Sequence, residues 1–547
     1  MTMCEVFQQT VAAHPDVVAL RTPDDSARIT WREYGERVRQ IAAKLYALGV
    51  RKGDTVALMM TNRPEFHLVD TAVFHLGAIP FSIYNTSSAE QIDYLFGNAE
   101  NRVVVCEKQF EPLACSAETV LTIEDLADDS PDFDFDATWR AVDPDDVLTL
   151  IYTSGTTGPP KGVEITHRNI RFSMAAALEM PQFAAAATDG RVLSYLPDAH
   201  LANRYFAHYL PMCTGATTTC VSDPKTVASV LPKVRPTVFL GVPMIWYKIK
   251  AGIEQAVAAQ TGFRRVIAEW ALRAAHHPSG PQYALAQRLV LNKLPAKVGL
   301  DACAAPISGA APISVDALKF LTAAGIPVCE GWAMSESSVH GTVNRPDALK
   351  PGTVGKPMPG VEVRLADDGE LLLRSPAVMK GYRNDPVKTA EAIDAEGWLH
   401  TGDIGTISDD GYVSIVDRKK ELIINAAGKN MSPANIENAV KVASPLIGSV
   451  VAIGDRRPYV VALITLDPET GTDPHALAQD PEIVEAVTKA VREANATLSR
   501  VEQIKAFRIL PTFWLPGGNE LTPTMKLKRK PIAELYAAEI DALYSER

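Results

Sequence analysis

Tyr152-Thr153-Ser154-Gly155-Thr156-Thr157-Gly158-Pro159-Pro160-Lys161-Gly162 follows directly on the apolar run Val147-Leu148-Thr149-Leu150-Ile151. A short apolar run closed by turn residues reads as a buried strand that feeds a tight loop. Glycines let the backbone turn so that successive N–H groups face one anion, hydroxyls add donors, and a lysine adds charge. The spacing differs from that of a P-loop, which places four residues between its first glycine and Gly-Lys. An anion-binding loop is expected here, without P-loop mechanics.

Outward from this loop, the first 150 residues alternate helix and strand patterns. Thr30-Trp31-Arg32-Glu33 is a capping box, after which Tyr34, Val38, Ile41, Leu45 and Leu48 recur at helical spacing up to Gly49. Strands are expected over 55–60, 79–83 and 103–106, with helices beginning at Pro64 and after Ser88, which Gln91 helps to cap. Such alternation favours a parallel sheet covered by helices. The Asp-rich stretch 125–146 reads as a solvated connector. From 147 the α/β alternation resumes, with strands at 238–241 and 326–329 and a helix over 243–259. Between 353 and 416, short β-like runs separated by Asp-Gly and Gly turns suggest a small β subdomain. Beyond Asp417-Arg418-Lys419-Lys420 come a helix near 433–443, strands at 449–454 and 459–466, and a helix near 480–498, an α+β unit of about 130 residues.

The chain has 547 residues, too many for one core, so about two to four domains are expected. Lysine and arginine total 54 and aspartate and glutamate 65, a net charge of −11, which gives a nucleic-acid partner no support. Phosphate donors must then be concentrated in one place. Seven cysteines without a CxxC pair indicate neither a zinc site nor a disulfide framework, and fit reduced thiols in a cytoplasmic protein. The N-terminus lacks the pattern of a signal peptide, and no apolar stretch reaches the roughly 20 residues of a membrane span. The expectation is a soluble chain, with peripheral membrane contact and a homodimer left open. No HExxH and no Gly-x-Ser-x-Gly elbow occurs, and His276-His277 lacks companions.

The 153–162 segment resembles the phosphate-binding signature of the adenylate-forming superfamily: acyl-CoA synthetases, luciferases and peptide-synthetase adenylation domains. Further matches follow in the family's order. Tyr195-Leu196-Pro197-Asp198-Ala199-His200 resembles the segment whose histidine borders the acyl pocket. Ser308-Gly309-Ala310-Ala311-Pro312 resembles the adenine-flanking segment, and Gly331-Trp332-Ala333-Met334-Ser335-Glu336 the aromatic-Gly-x-Thr/Ser-Glu motif. Trp398-Leu399-His400-Thr401-Gly402-Asp403 resembles the ribose motif and Asp417-Arg418-Lys419-Lys420-Glu421 the hinge. Gly428-Lys429-Asn430 and Leu521-Thr522-Pro523-Thr524-Met525-Lys526 complete the set.

Taken singly, each residue has a plainer reading: Asp403 a turn residue, Trp332 core, Glu336 and Arg418 solvated charges, Lys526 part of a disordered basic tail, His200 a core histidine. The resemblance gives them roles that their chemistry can fill. Asp403 can accept two hydrogen bonds from a ribose diol. Trp332 can stack on adenine, and Glu336 is a hard oxygen ligand suited to Mg²⁺ beside phosphates. Catalytic roles are implied for Lys526, Glu336 and His200. Nucleotide and cofactor contacts are implied for Thr153, Ser154, Gly155, Thr156, Thr157, Gly158, Lys161, Ala311, Gly331, Trp332, Ser335, Asp403, Arg418 and Gly428.

The implied fold is α/β. A large N-terminal portion, 1–416, carries helix-covered sheets and a small β subdomain, and a mobile α+β C-terminal domain, 418–547, carries Lys526. The implied reaction uses ATP, Mg²⁺ and coenzyme A to convert a carboxylic acid to acyl-AMP and then acyl-CoA. The wording "LPDAH", "DRKKELI" and "AAGKNMSPANIE" is most similar to long-chain fatty acyl-CoA synthetases. A fatty acyl-AMP ligase loading a carrier protein, an aryl or short-chain CoA ligase, and a non-catalytic binding protein on the same fold are the rivals. Three positions depart from the family's pattern. Trp332 replaces the commoner tyrosine, Ala333 replaces a glycine on the pocket floor, and Asp198 stands where an apolar residue is usual.

Overall fold

A computed structural model describes residues 1–114, 116–126, 133–153, 159–187, 189–275, 280–424, 430–522 and 525–545. Ser154 to Gly158, His276-His277 and Gly428 lie outside the described residues. The early helices form as their caps dictate. Thr30 and Glu33 close a reciprocal capping box on Trp31–Ala47, and Ser88 and Gln91 do the same for Ala89–Ala99. Tyr34, Val38, Ile41 and Leu45 face the core, whereas Leu48, expected on that face, is the C-cap and 41% exposed.

Four strands in the order Ile79–Ser82, Thr55–Met59, Val103–Cys106, Thr119–Thr122 form an all-parallel sheet. Their unbroken apolar character follows from burial on both faces. A second sheet joins Val18–Arg21 to Thr217–Cys220 and Arg191–Ser194 in parallel, with Arg28–Thr30 antiparallel at its edge. In a third, Val238–Gly241, Ala305–Ser308 and Cys329–Trp332 run parallel before Thr342–Val343 and Lys356–Pro357 turn back. Glu362–Leu365, Glu370–Arg374, Leu399–Ile407 and Val413–Arg418 make the small antiparallel sheet. After it, Ile447–Ile453, Val460–Leu466 and Ile504–Ile509 form a separate three-stranded sheet backed by Pro433–Ala443 and Pro481–Thr497. Among the described residues, no buried hydrophobic cluster draws side chains from both sides of the stretch between Ile415 and Ile423.

Three expectations need correction. The run at 147–152 belongs to Val147–Thr153, which does not join a parallel sheet. It pairs antiparallel with Lys161–Thr166, so that Thr153 and Lys161 face each other across the mouth of the loop. A strand buried on both faces looks the same in either pairing. The strand expected at 326–329 is Cys329–Trp332; Pro327, without an N–H, keeps the preceding residues out of the ladder. The connector at 125–146 contains the helix Phe135–Arg140, capped by Asp134, whose Phe135 is 1% exposed and stacks on His75. The basic C-terminal stretch folds with the C-terminal unit: Arg529–Leu535 and Ala537–Ser545 dock Ile532, Ile540 and Leu543 against Val461 and Leu463.

Buried polar groups tie the large portion together. Arg204 pairs with Asp70 and donates to Ser82 at 2.9 Å, and His208 bonds the other oxygen of Asp70 at 3.0 Å. His75 donates from Nδ1 to the Thr71 carbonyl at 2.7 Å, and His167 Nδ1 accepts the Met3 N–H at 3.1 Å. Burial depresses both imidazoles to about 3, so each is neutral when folded. The unfolded chain takes up protons below about 6.5, so their contribution is complete above that pH and is lost as pH falls toward 3. Denaturant unfolding of the wild type and His167→Gln between pH 6 and 4 is the check. The wild type is expected to lose about 1 kcal/mol per pH unit more than the variant; equal slopes would contradict a neutral buried His167.

Candidate active site

The C-terminal ends of the parallel strands in the third sheet, where α/β sheets characteristically receive ligands, carry Ser308 and Trp332. Ala305–Ser308 ends in a loop in which Ala310 adopts φ +69° and Ala311 is exposed. Such a left-handed alanine is strained, a feature that concentrates at functional sites. Ser308 Oγ is buried and has no partner among the described residues. The neighbouring strand carries Gly331 and Trp332 and runs into the turn Ser335–Ser337, followed by Ser338 and Val339 at φ +54° and +57°. Ala333 is exposed beside Trp332.

Asp403, on Leu399–Ile407 and 5% exposed, reaches Trp332 at this end of the sheet. Its Oδ2 accepts the Trp332 indole N–H at 2.7 Å, and its Oδ1 meets Arg418 Nε at 2.8 Å. Arg418 is its cross-strand partner in the ladder. Burial raises the Asp403 carboxyl above its ordinary value, with Arg418, Trp332 and Lys526 pulling it down.

Glu336, also buried, accepts the Tyr382 hydroxyl on Oε1 at 2.9 Å, while its backbone carbonyl takes the Met379 N–H at 2.8 Å. Its Oε2 has no hydrogen-bond partner among the described residues. The Lys161 ammonium sits 4.0 Å from the centre of the Tyr382 ring. Burial lowers the Lys161 pKa, and Glu336 opposes that shift. Tyr382 thus links the loop-bearing hairpin to the Glu336 turn. It sits in the unremarkable context Gly381-Tyr382-Arg383, and nothing local in the sequence marks it.

Lys526 approaches from the C-terminal unit on a turn in which Thr522 and Lys526 bond reciprocally and Met525 has φ +61°. The residue is exposed to solvent, yet protein crowds its ammonium and desolvation lowers its pKa. Arg418 adds to that shift, whereas Asp403, Glu336 and Glu421 oppose it. His200 feels the same ammonium, and burial brings its pKa to about 4. Its Nδ1 caps the helix Leu201–Arg204 by accepting the Ala202 N–H at 3.1 Å, so the imidazole is neutral with its proton on Nε2.

Two contact groups result, Trp332–Asp403–Arg418 and Glu336–Tyr382–Lys161, and Lys526 acts electrostatically on both acids and on His200, with Thr153 at the loop mouth and Gly331 and Ser335 flanking Trp332 and Glu336. Asp198 does not face a ligand surface. It is 5% exposed, accepts Asn203 Nδ2 at 2.6 Å, and burial raises it to about 8. Beside it, Leu193, Tyr195, Leu196, Asn203, Phe206 and Leu240 line a small cavity of about 10 Å³, room for one water and no more. Among the described residues, no cluster of three His, Cys, Asp or Glu could hold a metal by itself, and no helix is long and apolar enough to cross a membrane.

Residues 7–383 match the family described as AMP-binding enzyme, and residues 420–547 match the AMP-binding enzyme C-terminal domain. The chain is 50% identical over 437 residues, 76% of each chain, to fadD11 of Mycobacterium tuberculosis, whose designation as a fatty-acid–CoA ligase is itself provisional. It is 35% identical over 563 residues, covering 95% of this chain and 92% of the relative, to the long-chain-fatty-acid–CoA ligase FadD15 of the same species. Among solved structures, the o-succinylbenzoate coenzyme A synthetase of Bacillus subtilis in complex with AMP superposes with a TM-score of 0.73 at 21% identity, over 96% of this chain and 97% of that one. That likeness speaks for the fold alone. The chain belongs to the AMP-binding enzyme family.

Proposed function

We propose that this protein activates a medium- or long-chain fatty acid with ATP, forming acyl-AMP and pyrophosphate, and then passes the acyl group to coenzyme A. The observation that carries the reading is the buried Asp403 held between the Trp332 N–H at 2.7 Å and Arg418 Nε at 2.8 Å, with the Lys526 ammonium of the C-terminal unit acting on it electrostatically. The fatty acid as substrate class draws on the names of the relatives. We take residues 1–416 and 418–547 as the two working units, the second mobile, and place the reaction in the cytoplasm.

In this reading Asp403 holds the ribose diol, Trp332 flanks the adenine, and Ser308 Oγ gains the partner it lacks. Thr153, Lys161 and the intervening loop receive the phosphates. Glu336 would hold Mg²⁺ through its second oxygen, the phosphates supplying further ligands; the metal would neutralise phosphate charge. The substrate carboxylate attacks the α-phosphorus and pyrophosphate leaves, so the protein contributes placement and countercharge rather than a covalent bond. The Lys526 ammonium meets the charge that develops at the α-phosphate. His200, neutral, borders the acyl group without adding charge to it. The thiol of coenzyme A then attacks the acyl carbonyl and AMP leaves, with Gly428 assigned to the pantetheine path.

Each methylene buried in an apolar tunnel contributes about 0.8 kcal/mol, up to about fourfold in rate. Measured kcat/KM is therefore expected to climb with chain length between six and fourteen carbons, and a flat or falling profile would contradict the fatty-acid reading.

Lys526 makes no side-chain hydrogen bond among the described residues, so its removal leaves the fold intact. Lys526→Ala should lower adenylation at least about a hundredfold while converting supplied acyl-AMP and coenzyme A to acyl-CoA at near wild-type rate. An equal loss in both half-reactions would contradict a lysine that serves only the first. Asp417→Pro is a poorer probe of the hinge. The Asp417 carboxylate accepts Ser432 Oγ at 2.5 Å and the Ala434 N–H at 3.2 Å, and the residue pairs with Ile404 in the ladder, all of which proline would disturb.

A further inference from the structure

Asp403 is held by two donors of different character. Arg418 Nε, at 2.8 Å from Oδ1, belongs to a side chain that is 46% exposed, and it follows Asp417, where the chain leaves the small sheet for the C-terminal unit. Trp332 Nε1, at 2.7 Å from Oδ2, belongs to a side chain that is 9% exposed. Its strand is paired on one side with Ala305–Ser308 and on the other with Thr342–Val343. Trp332 and Asp403 thus both belong to the large unit, and any movement of the C-terminal unit leaves their bond in place.

A carboxylate has about four acceptor positions. One N–H on each oxygen leaves lone pairs on both, which is what two adjacent hydroxyls require. The donors also fix the rotation of the carboxylate, since a buried acid without them would turn toward whatever partner lay nearest. A tryptophan placed here only for its ring face would not need its N–H aimed at the acid.

We propose that Trp332 is a positioning residue of the ribose site, its indole N–H orienting Asp403 so that both carboxylate oxygens address a vicinal diol. The inference rests on the nucleotide reading given above and adds to it that selectivity for the diol is set by the Trp332 donor as well as by the acid. Adenine stacking uses the ring and diol selection uses the N–H, so the two functions of one side chain can be separated.

The test is calorimetric titration of AMP and 2′-deoxy-AMP, without turnover, into the wild type, Trp332→Phe and Asp403→Ala. In the wild type AMP is expected to bind more tightly than the deoxy analogue, and Asp403→Ala should bring the two dissociation constants together. Trp332→Phe keeps an aromatic face and loses the donor. Its AMP affinity should fall about tenfold or more, the scale of one hydrogen bond to a buried charge, while affinity for the deoxy analogue changes less than about threefold. If Trp332→Phe weakens both ligands equally and keeps the wild-type ratio, the positioning role is wrong while the ribose assignment of Asp403 stands. If Asp403→Ala keeps the ratio, the ribose reading itself fails and the inference falls with it. Should Trp332→Phe not fold, Trp332 is replaced by its benzothiophene analogue, which exchanges N–H for sulfur in a ring of the same shape. The same loss of ratio is expected there, and a retained ratio would overturn the proposal.

Discussion

A buried carboxylate stays charged only if donors surround it, and Asp403 meets that requirement with groups from separate parts of the chain. The indole of Trp332 comes from the middle strand of the third sheet, and the guanidinium of Arg418 from the last residue of the small antiparallel sheet. The ammonium of Lys526 bears on it from the C-terminal unit. These elements converge on one acid. The elements on either side of Asp403 owe their placement to the ladder that joins Leu399–Ile407 to Glu370–Arg374 and Val413–Arg418.

Around that acid the chain concentrates positive charge that its composition hides. The net charge is −11, yet Lys161, Arg418 and Lys526 gather near Asp403 and Glu336, with Asp385 also acting on Lys161. Other cations near the boundary are engaged structurally: Lys419 pairs with Asp368 and Glu370, and Arg529 forks Glu437 at 2.6 and 2.9 Å and meets Glu421. The two units also approach closely away from the charges. Gly517, at φ +81°, lies so near Thr86 that a Cβ there would stand 2.6 Å from the Thr86 carbonyl oxygen, and only glycine meets both demands.

Local features were legible in the sequence because local chemistry sets them. The capping boxes at Thr30 and Ser88, the strands Val103–Cys106 and Glu370–Arg374, and the helix Pro433–Ala443 lie where their residues place them. The pairing of Val147–Thr153 was not legible, since an unbroken apolar strand carries no mark of its neighbour's direction. Phe135–Arg140 spans six residues, too few for a period to register. The edge strand Ile504–Ile509 was not anticipated. At the site, motif order identified the region, but contacts between distant residues stayed hidden. The Trp332 sequence gives a ring, not the acid 71 positions away that takes its N–H. Asp198 reads as a charge near a pocket, whereas Asn203 and burial turn it inward.

The central claim is that the acid is activated in a step complete in itself, before any thiol is engaged. Exchange of labelled pyrophosphate into ATP measures that step most directly. With a fatty acid, ATP and Mg²⁺ but no coenzyme A, the label should appear in ATP, and omitting the acid should abolish the exchange. Exchange that required coenzyme A, or label entering from inorganic phosphate instead of pyrophosphate, would contradict an acyl-adenylate formed among Asp403, Glu336 and Lys526.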